Sequence, residues 1–144
     1  MKRIFLFTIV LLAALVFWYY KTYPLTPTVT INRTTFTVEL AITGGEIEKG
    51  LSGRSLLAPK HGMLFIFNHK ERYSFWMKGM NFPLDFIWLD GNLIVEVTKN
   101  VPPIENGVIP QLKPSVLIDK VLEIPAGEID AAGITIGDTA LFNK

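Results

Sequence analysis

Residues 4–20 run for 17 positions without a charged side chain. That stretch decides how much chain is left to build a domain. As a helix rising 1.5 Å per residue it would be about 25 Å long, short but within the range that spans a bilayer. Lys2 and Arg3 precede it, which predicts a cytoplasmic N-terminus. Trp18, Tyr19 and Tyr20 follow at the far end, where amphipathic rings favour the lipid–water boundary. Every face of the run is apolar, unlike a helix that only lines a core. A cleaved signal peptide has the same positive tip and apolar run, but it needs small residues at the cut. Phe17-Trp18-Tyr19-Tyr20-Lys21 offers none. The expectation is a cytoplasmic tip at 1–3, a transmembrane signal-anchor helix at 4–20 and a linker at 21–27 stiffened by Pro24 and Pro27. An extracytoplasmic domain at 28–144 then belongs to a single-pass cell-membrane protein. Secretion after cleavage is the alternative.

This division changes what composition means. The chain is 49% hydrophobic, but residues 1–27 hold 19 of the hydrophobic residues. The other 117 residues are about 44% hydrophobic, ordinary for one globular domain. Without Lys2, Arg3 and Lys21, the formal charge of +1 becomes 11 basic against 13 acidic residues, near −2. That balance excludes a broad nucleic-acid surface. Zero cysteines exclude disulfides, Cys-ligated zinc, iron–sulfur clusters and a thiol nucleophile.

The domain reads as mostly β. Val29 and Ile31, then Phe36, Val38, Leu40 and Ile42, alternate with polar residues around a turn at Asn32-Arg33-Thr34, which predicts a hairpin. Thr43-Gly44-Gly45-Glu46 is a capping box, so residues 46–52 should form one or two helical turns closed by Gly53. Apolar runs at 62–67 and 73–78 flank a charged turn and predict a second hairpin. Residues 84–90 and 93–97 flank Asp90-Gly91-Asn92 and predict a third. Four prolines make 100–114 an irregular loop. A strand at 116–124, a short helix at 128–132 and a last strand at 139–142 complete the chain. The fold class expected is mostly β (α+β), a compact barrel or sandwich of about eight short strands with two short helices. Long helices between strands, which a parallel α/β fold needs, are missing.

Chemistry is harder to find. There is no G-x-S-x-G, Walker A or G-x-G-x-x-G sequence, so no cofactor is predicted. His61 and His69 lack metal-ligand spacing and read as loop or surface residues, so no metal is predicted either. The densest segment is 75–89. On a strand, Phe75 and Met77 face one way and Trp76 and Lys78 the other. Gly79 to Pro83 bends the chain and Asp85 follows. Arg54, Trp76, Lys78, Met80 and Asp85 are therefore the candidate ligand-binding residues, since aromatic faces beside opposite charges suit a polar or ring-shaped ligand. The plainer alternative is packing by Trp76 and Met80 with Lys78 and Asp85 as a structural ion pair. Arg54 could likewise pair with Asp85 or sit at a helix C-terminus.

Several blocks occur in order: Gly50-Leu51-Ser52-Gly53-Arg54, Gly62-Met63-Leu64-Phe65-x-Phe67, Phe75-Trp76-Met77-Lys78-x-Met80, Pro83-Leu84-Asp85-x-Ile87-x-Leu89, Pro125-Ala126-Gly127 and Gly133-Ile134-x-x-Gly137-Asp138. With these blocks the chain resembles the domain of unknown function 192 family over about residues 36–142. The resemblance implies a compact β-rich domain, often behind an export signal. It implies no established activity or catalytic residue. Ser52 stands where the family often has Met, and the 100–114 loop lacks the Cys that many members carry there.

Three functions follow as expectations. The first is a membrane-anchored extracytoplasmic domain that binds a small molecule or envelope component at the five candidate residues. The second is an assembly partner of other membrane proteins, with the protein partner unspecified. The third is an envelope carbohydrate-active enzyme using Asp85 as acid or base, with Asp90 or Glu96 as the nearest second carboxylate.

Overall fold

A computed structural model describes residues 9–18, 26–104 and 107–143. Residues 9–18 form a helix, α1, inside the expected anchor. No helix among the described residues is long and apolar enough to cross a membrane. Residues 4–8 and 19–20 of the expected span, the tip 1–3 and linker residues 21–25 lie outside the described residues.

Local rules produce the first hairpin, the first helix of the domain and the hairpin after it. β1 (Thr28–Ile31) and β2 (Thr34–Ala41) pair antiparallel across a turn in which Asn32 takes a φ of 55°. β5 (Leu84–Asp90) and β6 (Leu93–Val101) pair across the turn that holds Gly91. α2 (Gly44–Lys49) starts from the expected capping box. The Glu46 N–H donates to Thr43 Oγ1 at 3.4 Å, and the Thr43 N–H donates to Glu46 Oε2 at 2.9 Å. Such a cap contributes about 1 kcal/mol. The helix begins two residues before the expected start and stops at Gly50 rather than Gly53, because Gly50 already leaves helical geometry at a φ of 48°.

The second hairpin does not form. β3 (His61–Glu71) runs parallel to β2 on one side and antiparallel to β8 (Ile118–Pro125) on the other. Both of its edges are taken, so β4 (Phe75–Trp76) pairs instead with β7 (Gln111–Leu112) from the proline-rich loop. The parallel β2–β3 pair needs a crossover, and residues 42–60 with α2 supply it.

β9 (Ala140–Asn143) completes a seven-stranded sheet of order β6-β5-β8-β3-β2-β1-β9. The sheet curls until its two ends meet: Leu93 bridges Thr139, and the Ala140 N–H donates to the Asn92 carbonyl at 2.8 Å. The short helix α3 (Glu128–Ala131) sits between β8 and β9. Nine strands and two short helices among the described residues from 26 onward agree with a mostly β fold.

The central strands are buried on both faces, and alternate residues divide between two cores. Leu64, Ile87, Leu89, Leu122 and Ile124 join Val29, Ile31, Phe36 and Ile129 inside the curled sheet. Met63, Phe65, Phe86, Trp88 and Val121 pack on the other face against Leu51, Phe75, Met77 and Met80. The first core is largely aliphatic. The second is rich in aromatic rings and methionine.

Candidate functional site

The second core is incompletely filled. A cavity of about 190 Å³ lies between α2 with its following turn, β3, the β4 segment and β8. The turn after β4 is fixed against the loop after α2. The Gly53 N–H donates to the Gly79 carbonyl at 2.8 Å, and Asn81 Nδ2 donates to the Arg54 carbonyl at 2.7 Å. Gly79 has a φ of 72°, and a Cβ there would lie 2.2 Å from Ser52 Oγ, so the two loops can approach this closely only with glycine. These contacts tie two of the sequence blocks, 50–54 and 75–80, into one wall.

The aromatic part of the wall has defined geometry. Phe67 stacks on Tyr73 with centroids 3.6 Å apart, and Phe65 meets Phe75 edge-on at 5.0 Å. Tyr73 is held by its hydroxyl, which donates to the His69 carbonyl at 3.0 Å. As the alternation predicts, Phe75 and Met77 are buried, while Trp76 and Lys78 are exposed and line the cavity from its outer side. Met80 also lines it.

Three of the five candidate residues are thus brought together: Trp76, Lys78 and Met80. Arg54 is not among them. Its guanidinium grips Glu39 through two hydrogen bonds of 2.5 and 2.7 Å, beside a separate groove that also holds His61. The hydrogen bonds from Arg54 hold the Glu39 carboxyl below its ordinary value.

Asp85 is sealed inside the opposite face of the sheet, with no exposed surface. Its Oδ1 accepts the Asn100 N–H at 2.7 Å, and its Oδ2 accepts the Gly127 and Ile129 N–H groups at 2.9 and 3.0 Å. Each has a local cause. Asn100 lies at a bulge, where β6 gains one residue between the pairs Leu84–Val101 and Phe86–Thr98. α3 starts from Gly127, which has no side chain to cap the first turn. Asp85 provides that cap from a distant strand. It therefore pairs with neither Lys78 nor Arg54, and no part of it faces a cleft.

The residue that sequence reasoning missed is Glu123. It lies on β8 opposite Met63 of β3 and Phe86 of β5, is 5% exposed, and forms part of the cavity wall. Among the described residues its carboxyl has no hydrogen-bond or ion-pair partner, and its oxygens keep contact with the cavity rather than being sealed from solvent. Burial pushes it up to about 8. The one signal in the sequence is a lone carboxyl inside Val121-Leu122-Glu123-Ile124.

The cavity brings several kinds of group together. It offers aromatic walls, a carboxyl with free hydrogen-bonding capacity, and the Lys78 ammonium, which has no ion pair among the described residues. No group of three or more His, Cys, Asp or Glu among the described residues is placed to hold a metal ion.

Comparison with known proteins supports the fold. The model of the DUF192 family, described as an uncharacterized ACR, matches residues 27–142. A crystal structure of a proposed transcription regulator from Sinorhizobium meliloti 1021 is similar at 28% identity, with a TM-score of 0.76 over 82% of this chain and 94% of that one. A protein of unknown function from Novosphingobium aromaticivorans DSM 12444 is similar at 31% identity, with a TM-score of 0.73 over 79% of this chain and 83% of that one. No curated protein matches.

Proposed function

We propose that this chain, which belongs to the DUF192 family, is a membrane-anchored extracytoplasmic binding domain whose ligand is a small molecule or a small group of an envelope component. The observation that carries the reading is the cavity itself. Its volume of about 190 Å³ exceeds the roughly 150 Å³ that accommodates benzene, and its wall holds an unpartnered carboxyl. Residues 4–20 would tether the domain and residues 21–27 would space it from the bilayer. The uncharged run behind Lys2 and Arg3 supports that placement.

Binding is favoured over catalysis by Asp85, because both oxygens of that carboxyl are occupied by backbone N–H groups away from solvent. The regulator description of the Sinorhizobium protein is not extended to this chain. The longer helix of residues 26–143 has six residues, too few to lie along a DNA groove and present a row of side chains.

The test is a thermal-unfolding screen of the full chain in detergent micelles against small ring compounds and envelope fragments. A ligand at 100 times its Kd stabilises by about 2.7 kcal/mol, a rise of several degrees. Trp76 is 47% exposed, so Trp76→Ala should fold and lose the response. Folded Trp76→Ala and Lys78→Ala variants that keep every wild-type response would overturn the assignment. The intact mass of the mature protein reports separately whether the N-terminal segment is retained.

A further inference from the structure

The chemistry of Glu123 narrows the ligand class, on the premise that the cavity binds. A protonated carboxyl presents one O–H donor and one carbonyl acceptor side by side. No protein group among the described residues pairs with it, and its oxygens are reached from the cavity rather than sealed off. A ligand that displaces solvent there without replacing those hydrogen bonds loses about 1–3 kcal/mol. A ligand avoids that cost only if it supplies an acceptor and a donor on neighbouring atoms. The walls around Glu123, with Phe65, Phe67 and Phe75, suit a flat apolar ring. A volume of about 190 Å³ leaves room for one ring and a few further atoms.

We propose that the cavity takes a neutral single-ring compound with an amide-like edge, and that Glu123 pairs with that edge through both of its oxygens. Charge favours a neutral ligand over a cation. Lys49 of α2 and Lys78 after β4 both line the cavity, and Glu48 is the only other acidic side chain there. Tyr73 is the remaining titratable group of the wall, while β3 and β5 place Met63 and Phe86 beside Glu123. An ammonium ligand would pass two lysines and would need Glu123 ionised. With Glu123 protonated below about pH 8, binding should be level from about pH 5.5 to 7. Well above pH 8 it should weaken about tenfold per pH unit.

The experiment is calorimetric titration of the full chain in lipid nanodiscs, with empty discs as blank. The three probes are benzamide, acetophenone (acceptor but no donor) and benzylammonium. Benzamide should bind about tenfold tighter than acetophenone, and benzylammonium weakest. Glu123→Gln keeps a donor beside an acceptor, so it should retain benzamide binding and lose the pH dependence. Glu123→Leu should bind benzamide and acetophenone alike. Equal binding of those two by the wild type overturns the pairing while leaving the cavity a binding site. Tightest binding of benzylammonium, strengthening with pH, overturns it in favour of cation recognition. Silence from all three probes, while the screen above gives Trp76-dependent responses, overturns the amide inference alone. Silence in both overturns the binding function with it.

Discussion

Asp85 and Glu123 are the two buried acidic residues among those described, and they lie on paired strands one register step apart. Asp85 stands opposite Ile124 and Glu123 opposite Phe86, so the pleat sends them to opposite faces of the same sheet. On the inner face three backbone N–H groups surround the Asp85 carboxyl beside a largely aliphatic core. On the outer face no described residue hydrogen-bonds or ion-pairs with the Glu123 carboxyl, and a cavity opens beside it. Burial alone does not define a role. A buried carboxyl with its hydrogen bonds filled holds segments together. One with its capacity free, against a cavity, can recognise a ligand.

The sharpest way to break this contrast is Asp85→Ala. It strands three N–H groups, one buried at the first turn of α3 and two part-buried at Gly127 and at the bulge in β6, each worth up to about 1–3 kcal/mol. The expected loss is on the order of 3–5 kcal/mol, read by chemical denaturation of the full chain in micelles. Asp85→Asn keeps one acceptor oxygen and should lose about half as much. A loss below about 1 kcal/mol for Asp85→Ala would show that Asp85 is not a lock.

Glu123 should make stability depend on pH. Its folded value is about 8 against an ordinary 4.5. Between those values the native state keeps a proton that the unfolded chain releases, so stability falls as pH rises from about 4.5 to about 8 and then levels. The loss is on the order of a few kcal/mol. In Glu123→Gln that slope should vanish, and the variant should exceed the wild type in stability above pH 8. Denaturation midpoints of both proteins from pH 5 to 9 decide it. Parallel curves would refute the account of Glu123.

How much of this was legible in the sequence depended on distance along the chain. The β1–β2 and β5–β6 hairpins and the Thr43–Glu46 cap obey rules that act within a few residues, and they were readable. The pairing of β4 was not. Phe75-Trp76 beside a charged turn looks like the return strand of a hairpin, yet β2 and β8 already occupy both edges of β3. The site divides in the same way. Trp76, Lys78 and Met80 lie in one short segment and meet in one cavity. Arg54 and Asp85 find partners at Glu39 and at residues 100, 127 and 129, which no spacing rule connects. Glu123 was hidden for another reason. In a strand with one wet face, a Glu between Leu122 and Ile124 would point to water. Only the covering of β8 on both faces turns it inward.

The smallest expected effects compare the packing of the two faces directly. Gly62 sits on β3, and a Cβ there would lie 2.6 Å from the Glu123 carbonyl oxygen and 3.0 Å from Ile124. The first of these contacts is backbone of the central sheet and cannot swing aside. Gly62→Ala should therefore cost about 1–3 kcal/mol by overpacking. Gly44 lines the cavity at the start of α2, and a Cβ there meets nothing within 4 Å. Replacing helical glycine by alanine removes backbone freedom from the unfolded chain. Gly44→Ala should stabilise by up to about 0.5–1 kcal/mol, and denaturation midpoints resolve the sign of both changes. If the inner face is closed and the outer face open, one added methyl has opposite signs on the two sides of a single sheet. Equal destabilisation by both would mean that the cavity wall is as tightly set as the inside of the curled sheet, and the contrast would fail.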